Sequence, residues 1–166
     1  RLDTERTQVD LAFLDALAAP AFVRVAGAMN MGGGPIPTIN GDYEKTTDMR
    51  NGRAVYKKVG DDKRAMWMGP NGIWYLGHVG EGEESAGGTS TEAMAAGKAG
   101  NETSPDLVSN GWKVASSVVG RGSSGFVQQA SMSVVAVSDE RIAAGEASGG
   151  TGEDDEEVAS KRAAEL

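Results

Sequence analysis

Hydrophobic positions along the chain follow two periods in succession. Over residues 4–19, Val9, Phe13, Leu14 and Leu17 recur at helical spacing while Glu5, Arg6 and Asp10 lie off that face, which predicts an amphipathic N-terminal helix. Pro20 ends it, because proline carries no amide hydrogen and clashes with the preceding turn. A helix of this length is marginal in isolation. Its apolar stripe therefore needs a surface to dock on, and a second chain is one such surface.

From Ala21 the period becomes two: Phe22, Arg24 and Ala26 alternate with Val23, Val25 and Gly27, as in a strand. Strand-like runs follow at 39–44, 53–59, 65–68, 73–78, 112–119 and 126–137. Four Asn-Gly pairs, beginning at Asn40, Asn51, Asn71 and Asn110, punctuate them, and Asn-Gly is a strong hairpin signal because both residues tolerate positive φ. The expected fold is mainly β: an antiparallel β-meander, or small barrel-like sheet, with an N-terminal helix and an extended acidic C-terminal arm. Residues 80–104 read as a long loop holding one short strand at 93–96. The chain thus divides into a helix (1–20), a β-module (21–138) and a Gly-rich acidic arm (139–166).

Composition narrows the function classes. The 166 residues are 39% hydrophobic and include 24 glycines, no cysteine and one histidine, His78. A disulfide framework, a thiolate metal site and a cysteine nucleophile are excluded. The longest apolar run, Ala16 to Val23, is interrupted by Pro20 and is far shorter than the roughly 20 residues a spanning helix needs. The formal charge of −8 is unevenly placed. Residues 139–166 hold nine acids against three bases, whereas residues 45–64 hold seven cations against three acids. The net field repels a polyanion, so nucleic acid is not the expected partner. The basic stretch suits an acidic protein surface or the chain's own arm.

Candidate chemistry is sparse. Gly120, Gly122 and Gly125 match the dinucleotide fingerprint, and Asp139 and Glu140 follow at a plausible distance. That fingerprint needs a helix after its third glycine, yet Phe126, Gln128, Ala130, Met132, Val134 and Ala136 alternate as in a strand, so a hairpin loop is expected. Gly32 to Gly34 lack the Gly-Lys-Ser/Thr of a phosphate loop. His78 has no second imidazole and no nucleophile elbow beside it, and reads as a histidine at a strand end. Glu81, Glu83 and Glu84 read as a solvated charge run. No catalytic, metal or cofactor residue is expected. The clustered aromatics Tyr43, Tyr56, Trp67, Trp74, Tyr75 and Trp112 are expected in the core of a chain this poor in large apolar residues.

The motifs Ile39-Asn-Gly-Asp-Tyr-Glu44, Asn51-Gly-Arg-Ala-Val-Tyr-Lys-Lys58, Trp67, Gly72-Ile-Trp-Tyr75, Pro105 and Gly111-Trp112 span most of residues 22–137. Together they resemble a small β-module abundant in algal and related protist proteins, found alone or beside unrelated domains. The resemblance implies a binding or scaffolding element. A chain beginning at Arg1 without methionine adds the expectation of a processed precursor or a trimmed terminus, and a processed chain would be organellar or secreted. The resulting expectation is a non-catalytic accessory subunit of a large assembly, foremost a plastid photosystem on the soluble side of the thylakoid, with a mitochondrial respiratory complex as the alternative. Its partners are other protein subunits, and it sits peripheral to the membrane. Contacts are expected from Phe13 and Leu17 on the helix, Lys57 and Lys58 in the basic stretch, and Glu153, Asp154 and Asp155 in the arm. A carbohydrate-binding module using exposed Trp67, Trp74, Tyr75 or Trp112, and an enzyme built on His78, are the competing readings.

Overall fold

The computed structural model of the protein describes residues 11–79, 93–109, 111–120 and 125–139. The described part of the N-terminal helix, α1, runs over residues 11–18. Nine strands follow: β1 (Phe22–Ala26), β2 (Gly41–Arg50), β3 (Arg53–Lys58), β4 (Asp61–Met68), β5 (Trp74–His78), β6 (Ala93–Ala96), β7 (Lys113–Ala115), β8 (Phe126–Gln128) and β9 (Ser133–Val137). A one-turn helix, α2 (Ser116–Val119), separates β7 from β8. The strands form one antiparallel sheet in the order β8-β7-β6-β5-β4-β3-β2-β1-β9, curled into a half-barrel. The meander therefore holds from β1 to β8, and β9 returns to pair with β1 through Phe22↔Val137 and Ala26↔Ser133.

Strand alternation gives the sheet an inner and an outer face. The inner face carries the main core, including Val23, Val25, Tyr43, Tyr56, Met66, Met68, Trp74, Leu76, Ala95, Val114 and Val134, joined by Ile39 and Trp112. Trp74 meets Tyr56 edge-on, with ring centroids 6.3 Å apart. A smaller apolar cluster on the outer face contains Val55, Ala65, Trp67, Tyr75, Ala93 and Ala96. The short strand expected at 93–96 is present as β6 and connects the two clusters, with Ala95 facing in and Ala96 facing out.

Four expectations are corrected. β2 and β4 are longer than their apolar runs, because Lys45 to Arg50 and Asp61 to Arg64 hydrogen-bond as strand despite their polarity. The run 112–119 is strand only over Lys113–Ala115; α2 then turns the chain and ends at Gly120, whose φ of 90° is the left-handed cap that glycine favours. The run 126–137 breaks into β8 and β9 at a turn in which the Met132 amide donates to the Gln129 carbonyl at 3.2 Å. Lastly, of the four Asn-Gly pairs, Asn51-Gly52 is the one with both residues described at positive φ (47° and 76°), as a two-residue hairpin between β2 and β3 requires. Asn40-Gly41 instead introduces β2, and Asn110 lies outside the described residues. The glycine run at 120–125 is followed by β8 rather than a helix, in agreement with the hairpin reading.

Candidate partner-binding surface

α1 is attached by its small residues and presents its large ones. Leu11, Phe13, Leu14 and Leu17 are 57–60% exposed, whereas Ala16 and Ala19 are buried and Ala16 joins the inner core. Helical spacing places Ala12, Ala16 and Ala19 along one stripe and the four bulky residues on the arc opposite. Gly52 faces that alanine stripe, since a Cβ built there would lie 3.7 Å from the Ala12 methyl. The apolar stripe recognised from helical periodicity is thus real, but it points away from the sheet; Val9 lies outside the described residues.

The helix is held in this orientation at several points. Lys45 on β2 donates its Nζ to the carbonyls of Ala16 (2.9 Å), Leu17 (3.3 Å) and Ala19 (2.8 Å), placing a cation where the helix exposes unpaired carbonyls and the negative end of its dipole. The Tyr56 hydroxyl donates to the Pro20 carbonyl at 2.9 Å. Arg53 on β3 pairs with Asp15 at 3.7 Å, and its guanidinium also donates to the carbonyls of Gly52, Asn101 and Glu102. A rigidly mounted apolar face needs little further ordering on binding, so less of the contact energy is lost.

The basic stretch is largely engaged with backbone. Besides Lys45 and Arg53, Lys58 donates to the Pro37 carbonyl and Arg64 to the Lys63 carbonyl. Burial lowers the Lys58 pKa, opposed by Asp61 and assisted by Arg64. Lys57 is exposed on the outer face opposite Glu44, and strand alternation sends Lys58 to the inner side, so the two adjacent lysines do not share a patch. Glu153, Asp154 and Asp155 lie outside the described residues.

Motif residues serve the fold. Asn40 accepts from the Ala28 amide and donates to the Ala28 carbonyl, both at 3.0 Å, replacing a strand partner with one side chain. Gln129 does the same for Met29 at 3.3 and 3.0 Å. Tyr43 donates to the Ile39 carbonyl (2.8 Å), Asn51 to that of Met68 (2.7 Å), and the Trp74 indole to that of Glu102 (3.0 Å). Trp67, Trp74, Tyr75 and Trp112 are all buried, at 1–7% exposure, which agrees with a core role and leaves the carbohydrate alternative without the exposed platform it needs. His78 is exposed at the end of β5, opposite Arg64. Among the described residues no three His, Asp or Glu side chains gather as a metal site, and no helix is long and apolar enough to cross a membrane. Comparison of the chain with protein-family models, curated proteins and solved structures finds no match.

Proposed function

We propose that the protein is a non-catalytic scaffold domain that joins a larger protein assembly through the outward face of α1. One observation carries this reading: Leu11, Phe13, Leu14 and Leu17 lie exposed together on a helix whose opposite face is fastened to the sheet. Scattered exposed apolar residues are ordinary, but a contiguous set of large ones marks a surface that a partner covers. The structural use of the motif residues supports a binding element over an enzyme. For the identity of the assembly, the motif resemblance favours a plastid photosynthetic complex, with a mitochondrial complex second.

The absence of cysteine makes the test clean, because Leu17→Cys supplies a unique thiol for a photo-crosslinker. Irradiation in native extract is expected to join Leu17→Cys to a discrete partner subunit, while Asp62→Cys on exposed β4 gives none. Equal labelling from both positions, or none from Leu17→Cys, overturns the assignment.

A further inference from the structure

The four Asn-Gly pairs share one intrinsic reaction. A glycine amide nitrogen that loses its proton attacks the side-chain carbonyl carbon of the preceding asparagine, and no Cβ on the glycine hinders the ring closure. The two atoms belong to adjacent residues, so they are always within reach; the fold decides which pairs are held back.

Of the pairs described in full, two are restrained at both reacting groups. Asn40 is half-buried, with both ends of its carboxamide bonded to the Ala28 backbone, and Gly41 lies in β2 opposite Val25. Asn71 is exposed, but its Nδ2 donates to the Tyr75 hydroxyl at 2.7 Å, the Gly72 amide donates to the Gly69 carbonyl at 3.2 Å, and Gly72 is buried against the Asn101 side chain. Asn51 differs. It is exposed at the turn between β2 and β3, its side chain is held by a single 2.7 Å bond to the Met68 carbonyl, and the Gly52 amide has no acceptor among the described residues. Charge acts in the same direction. Arg50 and Arg53 face each other across the ladder at the base of this turn, and the Arg53 guanidinium donates to the Gly52 carbonyl at 3.1 Å. Positive charge so close favours the deprotonated Gly52 nitrogen and the oxyanion that forms at Asn51 Cγ.

We propose that Asn51 is a site of spontaneous deamidation that loosens the mounting of α1. The Gly52 nitrogen gives its proton to hydroxide and bonds to Asn51 Cγ; the Cγ–Nδ2 bond breaks, and the nitrogen leaves as ammonia. Water then opens the cyclic imide at either carbonyl to give an aspartyl or an isoaspartyl residue. The net change is water in and ammonia out, with nothing oxidised or reduced. Either product carries a carboxylate in place of the carboxamide and cannot donate to the Met68 carbonyl. The isoaspartyl product also adds one carbon to the backbone of a hairpin turn built for two residues. Gly52 faces α1, with the Ala12 methyl 3.7 Å from where a Cβ would stand, so a displaced turn disturbs the alanine stripe on which the helix is seated. This modification concerns how α1 is held and stands whatever α1 binds.

The full chain is incubated folded at mildly alkaline pH, and peptide masses after digestion give the deamidated fraction at each asparagine over time. Asn51 is expected to react ahead of Asn40 and Asn71 by about threefold or more, the weight of one extra restraining hydrogen bond at each of the other pairs. In denaturing urea the three should react at comparable rates, because each is followed by glycine. Chymotrypsin is expected to cleave at Phe13 and Leu17 faster in the aged chain, and in Asn51→Asp, than in fresh wild type. Reaction at Asn51 no faster than at Asn40 and Asn71 in the folded chain, the same lead of Asn51 in urea, or equal cleavage of fresh and aged chains overturns the proposal.

Discussion

At the scale of single residues, what distinguishes this protein is how its cations are used. Lys45, Arg53, Lys58 and Arg64 direct their charge at main-chain carbonyls, where a charge-assisted bond is stronger than a neutral one. Lys45 matters most because three carbonyls at the end of α1 share it. Lys45→Met keeps the aliphatic stem and removes the cap, and is expected to destabilise the fold by about 1–3 kcal/mol in urea denaturation. Tyr43 gives a second prediction. It is fully buried, and burial raises its pKa well above the usual phenol value, with Asp61 adding to that shift and Arg64 opposing it. The folded chain therefore holds a proton that the unfolded chain releases once the pH passes about 10. Stability should be flat with respect to this group below that pH and fall above it by up to about 1.4 kcal/mol per pH unit. Tyr56, shifted the same way by burial, steepens the decline. Urea midpoints between pH 8 and 11 check this, and Tyr43→Phe should flatten the alkaline slope. The core role of the aromatics was legible in the sequence, since so few large apolar residues were available to fill the sheet. The role of the lysines was not, because their acceptors are backbone carbonyls brought together only by the fold.

At the scale of elements, two glycines with similar backbone angles predict different outcomes. Gly27 has a φ of 77°, and a Cβ there would lie 1.9 Å from the Ser131 carbonyl oxygen, where the turn before β9 closes against the end of β1. The Ser131 hydroxyl donates to the Gly27 carbonyl at 2.7 Å, so the two backbones are locked together. Gly60 has a φ of 81° in the turn between β3 and β4, with open space where its Cβ would be. Gly60→Ala should cost about 1 kcal/mol, the strain of a left-handed conformation alone. Gly27→Ala should cost at least about 3 kcal/mol, because backbone must move to admit the methyl group. Thermal or urea denaturation of the two variants separates these expectations. The strands with alternating apolar residues were readable from the sequence, as was β6 from its short alanine run. The polar halves of β2 and β4 were not, because backbone pairing with β3 and β5 stabilises them without apolar side chains. The return of β9 to β1 could not be read either: it rests on contacts between residues more than a hundred positions apart, such as Ser131 with Gly27 and Phe22 with Val137.

At the scale of the whole molecule, the half-barrel is a platform that carries α1. The sheet supplies the rigid inner core, Ala16 seats the helix on it, and Lys45 and Arg53 fix its angle. Helical periodicity identified Phe13, Leu14 and Leu17 of the apolar stripe but missed Leu11 and the stripe's direction, because the alanines on the opposite arc are also apolar and only the fold decides which face docks. The choice follows from space: small residues let the helix approach the Asn51-Gly52 turn closely, and the larger ones are left outside. On the proposed reading, that outward face is the contact with other subunits. The most direct measurement is the size of the species containing this chain after mild-detergent extraction and native separation, with wild type compared against Phe13→Glu/Leu17→Glu. Both changed residues are about 59–60% exposed, so the variant should keep its thermal stability. Wild type is expected in a high-mass assembly, and the equally stable variant is expected as a free chain outside it. Wild type migrating alone, or the variant retained in the assembly, would contradict it.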